Sequence, residues 1–184
     1  NMHMIFTGNP GTGKTTIARI LAKYLKAIGA LRGGQLVEVT RADLVGRYVG
    51  HTAPLTNTVI QSALGGVLFI DEAYSLYRGG EDSFGLEAID TLVKGIEDNR
   101  GDLVVILAGY TREMQLFLSA NSGLASRFPN QIEFPDYTGE ELYRITLSIA
   151  KSKGYNLDES CRDVLIQWYD EQQAADAATN GNGR

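Results

Sequence analysis

One run of eight residues, GNPGTGKT at positions 8–15, restricts what this chain can fold into more than any other feature. Its spacing is Gly-x-x-x-x-Gly-Lys-Thr, and each residue type has a physical reason to be there. Gly8, Gly11 and Gly13 lack a Cβ, so the backbone can turn tightly and aim successive N–H groups at one anion. Asn9, Pro10 and Thr12 complete the loop. Lys14 brings a point charge for the outer phosphates of a nucleotide, Thr15 brings a hydroxyl suited to Mg²⁺, and Thr16 follows within the same binding segment. The helix that starts here turns the positive end of its dipole toward the same anion. An apolar segment at 3–7 precedes the run and an amphipathic pattern follows it, so the sequence predicts strand, phosphate loop and helix in that order.

The remaining composition sets bounds. A chain of 184 residues suffices for one sizeable α/β domain with a small appendage, and 43 % hydrophobic residues are enough to build its core. The single cysteine, Cys161, excludes an intramolecular disulfide and points to a reducing, cytoplasmic setting. Cys161 itself reads as a small packing residue on a helix. No segment approaches the roughly 18 apolar residues of a membrane span. A net charge of −5 with scattered Lys and Arg speaks against a nucleic-acid groove, so neither nucleic acid nor membrane is expected as a partner. There is no internal repeat or low-complexity tract. The start at Asn1 and the polar run at 174–184 lead us to expect a piece of a longer chain.

Along the chain, residues 3–7 read as the first strand, and Ile17, Ile20, Leu21, Tyr24, Leu25 and Ile28 predict one apolar face on the helix after the loop, ended by Gly29. A second strand is expected at 36–40 and a helical turn at 42–45. In the stretch that follows, Tyr48 and Val49 lie among Gly46, Arg47, Gly50 and His51. Those residues leave open whether the tyrosine tucks onto its own domain or stands in a mobile loop. A helix is expected from Pro54 to about position 64, with Pro54 at its first position. Residues 67–70, VLFI, then close on Asp71 and Glu72, as a strand buried on both faces would. Asp71, at the carboxyl end of that strand, suits Mg²⁺ through its water shell; Glu72 suits the activation of an attacking water.

A polar loop at 77–85 leads to a helix carrying Leu86, Ile89, Leu92, Val93 and Ile96. A fourth strand at 103–108 ends at Gly109-Tyr110-Thr111, which places Tyr110 where a side chain can touch the γ-phosphate or the lytic water. A helix near 112–119, the segment Ser126-Arg127-Phe128 and a fifth strand at 131–134 follow. Five strands alternating with helices predict a doubly wound α/β architecture. Thr138 and Glu141 form a capping-box pattern for a helix that stops at Gly154. A last helix is expected at 158–173, with Cys161, Leu165, Trp168 and Tyr169 as packing residues. The boundary between the α/β body (1–135) and the helical appendage (136–184) falls at Pro135-Asp136-Tyr137.

Together, the phosphate loop, the Asp-Glu strand end, the Ser-Arg-Phe before the fifth strand and the helical appendage resemble an AAA+ ATPase over the whole chain. More narrowly, DLVGRYVGHTAP at 43–54, GGVLFIDEAYSLY at 65–77 and IEFPDYT at 132–138 resemble the branch that contains stage V sporulation protein K and red-type Rubisco activase. Residues 1–27 and 83–100 lean toward the sporulation protein. This resemblance implies a P-loop NTPase with a five-stranded parallel sheet and a small all-helical lid. It also implies ATP and Mg²⁺ as cofactors, and a homo-oligomeric ring, usually a hexamer, acting on a protein substrate. Arg127 falls where such ATPases keep an arginine finger that acts in trans, a contribution of about 10³ to 10⁵ in rate; the lesser alternative is an internal or surface arginine of the fold. Tyr48, Val49 and Gly50 fall on the aromatic pore loop, and Arg184 on a lid arginine that senses the γ-phosphate.

The chain also departs from the family. Tyr110 stands where many AAA+ proteins carry Asn, and ATP over GTP rests on likeness and on the lack of an Asn-Lys-x-Asp motif. The function expected is ATP hydrolysis at subunit interfaces, driving the remodelling or threading of a protein through Tyr48, in the manner of the sporulation protein. The alternatives are a nucleotide-gated assembly scaffold, a chaperone like red-type Rubisco activase, and, more weakly, a small-molecule kinase.

Overall fold

The structure is a computed structural model describing residues 2–152 and 154–181. Its elements are β1 (Met4–Thr7), α1 (Lys14–Ala27), β2 (Leu36–Val39), α2 (Arg41–Leu44), α3 (Thr52–Ala63), β3 (Val67–Ile70), α4 (Ser83–Asp98), β4 (Val104–Gly109), α5 (Thr111–Ala120), α6 (Ser122–Ala125), β5 (Asn130–Glu133), α7 (Gly139–Ser152) and α8 (Arg162–Gly181). Short 3₁₀ turns occupy Ala73–Leu76 and Glu159–Cys161. The chain falls into two compact units: one holds the chain up to Gly8 with Gly13–Phe134, the other Asn9–Thr12 with the chain from Pro135 on.

In the first unit the five strands form one parallel sheet in the order β2-β3-β4-β1-β5. Ile5 lies opposite Leu107 on one side and Gln131 on the other, and Phe69 lies opposite Ile106. β3 and β4 are buried along their whole length, as central strands covered on both faces must be. Successive side chains point to opposite faces. Ile5, Leu68, Ile70, Val105 and Leu107 therefore pack with α3, α4 and α5, through Ile60, Leu92, Ile96, Met114 and Phe117. Phe6, Val67, Phe69, Val104 and Ile106 pack on the other side with Ala18, Ala22 and Leu25 of α1. β5 is an edge strand whose four residues are exposed, and its polar side chains suit that position.

Helix α1 departs from the single apolar face expected for it. Leu25 of that face is buried and Leu21 packs against the core as expected, together with Ala18 and Ala22, whereas Ile17, Ile20, Tyr24 and Ile28 are 44 to 58 % exposed. The small alanines let the helix backbone lie close against Phe6 and Phe69, and that close approach turns the larger residues about one arc outward. The end of α1 is as expected. Gly29 has φ +77°, its N–H bonds to Lys26 O at 3.0 Å, and Ala30 N–H reaches Leu25 O at 2.9 Å.

Pro54 is not the first residue of α3, which begins at Thr52, but it still lies in the first turn, where a missing N–H costs no intrahelical bond. α4 begins at Ser83, inside the stretch expected to be loop, because the Asp82 carboxylate accepts from Gly85 N–H at 3.2 Å and caps the helix. Against α3 it presents Gly95, where a Cβ would stand 2.6 Å from Ile60 Cδ1.

The second unit is helical. Thr138 Oγ1 accepts from Glu141 N–H at 3.2 Å at the start of α7, while the Glu141 carboxylate meets the Thr138 hydroxyl at 3.1 Å rather than the Thr138 backbone. One arm of the expected capping box is thus made and the other replaced. Asp170 of α8 accepts from Gly139 N–H at 2.9 Å, and Tyr169 shares a hydrogen bond with Thr146. Trp168 does not pack inward as expected: it is 51 % exposed, edge-on to Tyr169. Cys161 lies half-buried in a 3₁₀ turn instead of in a helix core.

Candidate nucleotide-binding site

Because β3, β4 and β1 are neighbours and parallel, their carboxyl ends lie along one edge of the sheet. Asp71 and Glu72 leave β3 there, Tyr110 leaves β4, and Gly8 leaves β1. Two of these exits remain hydrogen-bonded to the adjoining strand: Asp71 N–H donates to Val39 O at 2.9 Å, and Gly8 N–H to Gly109 O at 3.2 Å. Open α/β sheets place their ligands at this edge.

Gly8, Gly11 and Gly13 have φ of +146°, +74° and +93°. At Gly8 the close approach is absolute as well, since a Cβ would stand 2.5 Å from Phe134 O. Gly13 precedes α1 without a side-chain cap, so the first amides of a 14-residue helix are left for an external acceptor. Lys14 Nζ donates to Gly8 O at 2.6 Å, which holds its charge against the loop. Thr15 is half-buried and Thr16 exposed. In the second unit, Asn9 Nδ2 donates to both oxygens of Asp136, at 3.0 and 2.9 Å, and Thr12 Oγ1 donates to Asn9 O at 2.8 Å. Uncapped amides beside a lysine fit a phosphate chain. The Thr15 hydroxyl and Asp71 carboxylate are oxygen donors of the kind Mg²⁺ takes alongside phosphates and water.

Glu72 has φ +48° and ψ +46°, the one non-glycine positive φ among the described residues. That conformation costs about 1–2 kcal/mol. Local bonds hold it: Asp71 Oδ1 accepts from Glu72 N–H at 2.9 Å, and Glu72 O accepts from Ser75 N–H at 2.9 Å and Ser75 Oγ at 2.7 Å. Nearby, Tyr110 and Tyr74 stack with centroids 5.9 Å apart and planes at 30°. Gly109 makes room for this, because a Cβ there would stand 2.8 Å from Tyr74 Cδ1. Burial, and then the carboxylates of Glu72, Asp71 and Glu113, push the Tyr110 phenol above its ordinary pKa; Tyr74 is raised for the same reasons. Both phenols keep their protons, so each is an O–H donor beside the acidic pair.

Two features had no sequence signal. Arg41 Nη1 donates to Ser75 O at 2.8 Å and to Asp82 Oδ2 at 2.7 Å, and Nη2 donates to Asp82 Oδ1 at 3.1 Å. Their side chains are only 16 and 17 % exposed, and Arg41 holds the Asp82 carboxyl below the usual range. This pair ties α2, the turn after Glu72 and the cap of α4 together. The second is Glu97, which accepts from Arg127 Nε at 3.0 Å and from Nη2. Neither contact is legible from patterns, because the partners lie far apart in the chain and each looks like an ordinary surface charge.

Between α2 and α3, Tyr48 and Val49 are 67 and 87 % exposed, and Gly50 has φ +84°. Tyr48 is thus not packed into the core; its ring lies edge-on to His51 at 5.6 Å. The stem below is fixed by Gly46 N–H donating to Thr52 Oγ1 at 3.0 Å. Arg184 lies outside the described residues.

A parallel sheet of this order, with a phosphate loop leaving β1 and an acidic pair leaving β3, defines a P-loop nucleoside-triphosphatase fold. The family model described as "ATPase family associated with various cellular activities (AAA)" matches residues 4–136. Stage V sporulation protein K of Bacillus subtilis (strain 168) is 55 % identical over 158 residues, 86 % of this chain and 49 % of that protein. The chloroplastic ribulose bisphosphate carboxylase/oxygenase activase of Cyanidioschyzon merolae is 50 % identical over 168 residues, 91 % of this chain and 57 % of that protein. The FIGL-1 AAA domain, solved in complex with ADP, shares the fold at TM-score 0.57 and 21 % identity, covering 82 % of this chain and 49 % of that one. The chain belongs to the AAA family of ATPases, and it spans about half the length of the relatives named here. No helix of the described residues is long and apolar enough to cross a membrane.

Proposed function

We propose that this chain is the motor part of a ring-forming ATPase that hydrolyses ATP at subunit interfaces and uses the cycle to remodel or thread a protein partner. The observation that carries this reading is that Gly8, the Asp71-Glu72 pair and Tyr110 leave their strands at one sheet edge. Residues 8–16 bind the triphosphate, with Lys14 on its outer phosphates. Thr15 and Asp71 hold Mg²⁺, which supplies charge neutralisation when bound. Glu72 accepts a proton from the attacking water, and the Tyr110 O–H takes the place of the usual amide in orienting it. Arg127 acts on the nucleotide of a neighbouring subunit, and Arg184 senses the phosphates in cis. Tyr48, Val49 and Gly50 form the loop that grips the polypeptide, and the high exposure of the first two supports that assignment. Residues 136–184 are assigned to the helical lid that completes such a motor.

The test is steady-state ATP hydrolysis by the full-length protein. Glu72→Gln is expected to retain nucleotide and lose turnover; unchanged hydrolysis removes Glu72 as the base. Tyr48→Ala is expected to keep hydrolysis and lose remodelling, whereas a scaffold would keep partner function after that change.

A further inference from the structure

The guanidinium of Arg127 is already engaged within its own subunit. Its Nε and Nη2 both donate to Glu97 Oε1, and Nη1 donates to Gly123 O and lies 3.5 Å from Ser126 Oγ. The Arg127 side chain is 27 % exposed and that of Glu97 is 44 % exposed. Glu97 sits in the last turn of α4, where a carboxylate opposes the helix dipole and where the helix carries no basic residue. The helix dipole therefore does not favour a glutamate here, whereas the pair with Arg127 does. The helix that carries Glu97 is itself anchored by buried Ala88, Ile89, Leu92 and Ile96, so the carboxylate is a fixed point. Phe128, next to Arg127, is 1 % exposed and fixes the other end of the lever.

We propose that Glu97 is a positioning residue for Arg127: it grips the Nε edge and holds the arginine in one rotamer before a neighbouring subunit's nucleotide arrives. This rests on the reading of Arg127 as a residue acting in trans. A free arginine carries about 2 kcal/mol of rotamer entropy that docking would have to remove, and a side chain already fixed avoids that loss at the moment of reaction. Glu97 touches neither substrate nor reacting atoms. Its effect passes through Arg127 alone.

The experiment measures kcat and KM for ATP on the full-length protein carrying Glu97→Gln, Arg127→Ala or both, each checked by thermal melting. Glu97→Gln should lower kcat about 10- to 30-fold, close to the rotamer entropy released, with KM changed less than twofold and no further loss on top of Arg127→Ala. Glu97→Asp, which is shorter and keeps the charge, should fall between wild type and Glu97→Gln. In mixed rings, Glu97→Gln subunits beside Glu72→Gln subunits should regain activity, because an intact base then faces a correctly held arginine. An unchanged or raised kcat in Glu97→Gln overturns the proposal, as does a loss that multiplies with that of Arg127→Ala, or mixed rings that show no recovery. If Arg127→Ala itself leaves kcat unchanged, the trans reading fails first, and that result is separate from any result on Glu97.

Discussion

Asp82→Asn keeps the shape of the side chain and removes its charge. In the folded protein this leaves the Arg41 guanidinium, 16 % exposed, beside a neutral amide instead of a bidentate carboxylate. Removing one partner of a buried ion pair costs about 3–5 kcal/mol. The remaining access to water puts the expected loss at the lower end, about 3 kcal/mol, and for a protein of this size that lowers Tm by about 6–12 °C. Arg41→Met leaves the Asp82 carboxylate, 17 % exposed, without its cation and should cost a similar amount, about 3 kcal/mol. The double variant should be more stable than the sum of the two losses predicts, by about 2 kcal/mol of coupling. Urea unfolding followed by circular dichroism measures all three. The folded Asp82 carboxyl titrates below its unfolded value of about 3.9, so its contribution is complete above about pH 4 and is lost as the pH falls through the folded value. Asp82→Asn should remove that acid limb. A loss under about 0.5 kcal/mol, or two strictly additive losses, would refute the assignment.

Three further outcomes are expected. His3 is buried, accepts from Val105 N–H at 3.0 Å and is lowered to about 4 by desolvation; stability should therefore be full above pH 6.5 and fall by up to about 3 kcal/mol as the unfolded state takes up a proton between pH 6.5 and 4. His3→Gln should flatten that slope in pH-dependent denaturation. Gly8→Ala drives a Cβ to 2.5 Å from Phe134 O, whereas Gly13→Ala meets nothing within 4 Å; in thermal melts the first should lose about 3 kcal/mol and the second about 1. Tyr110→Phe should lower kcat at least tenfold, a loss of about 1.4 kcal/mol of transition-state stabilisation, with nucleotide affinity by fluorescent ATP-analogue titration unchanged; an unchanged kcat removes the hydroxyl from the reaction.

The parts of this fold that were legible in the sequence are those whose chemistry is local. Gly8, Gly11 and Gly13 announce positive φ because other residues resist it, and a short, β-branched VLFI run after Gly65-Gly66 and closing on Asp71 reads as a covered strand. On α1 the expected face holds at Leu21 and Leu25 but not at Ile17, Ile20 and Tyr24, because periodicity offers two overlapping arcs, Ile17-Ile20-Tyr24 and Ala18-Ala22-Leu25. Size favours the first, while the sheet accepts the second. Trp168 shows the same error, a large apolar residue placed inside by type rather than by what faces it. Arg127 was found by resemblance, but its grip on Glu97 depends on how α4 and the segment before β5 meet, and no spacing rule carries that information.

The strand order also fixes when the site is made. Met4 of β1 pairs with Ile106 on one side and Asn130 on the other, so both flanking strands emerge from the ribosome long after it. At about 5–20 residues per second, β1 waits on the order of 5–25 s for its neighbours. β2 and β3, closer in sequence, can meet first. The phosphate loop leaves β1, whose two neighbours follow it late in the chain, so it reaches its final setting only once the sheet has closed around that strand.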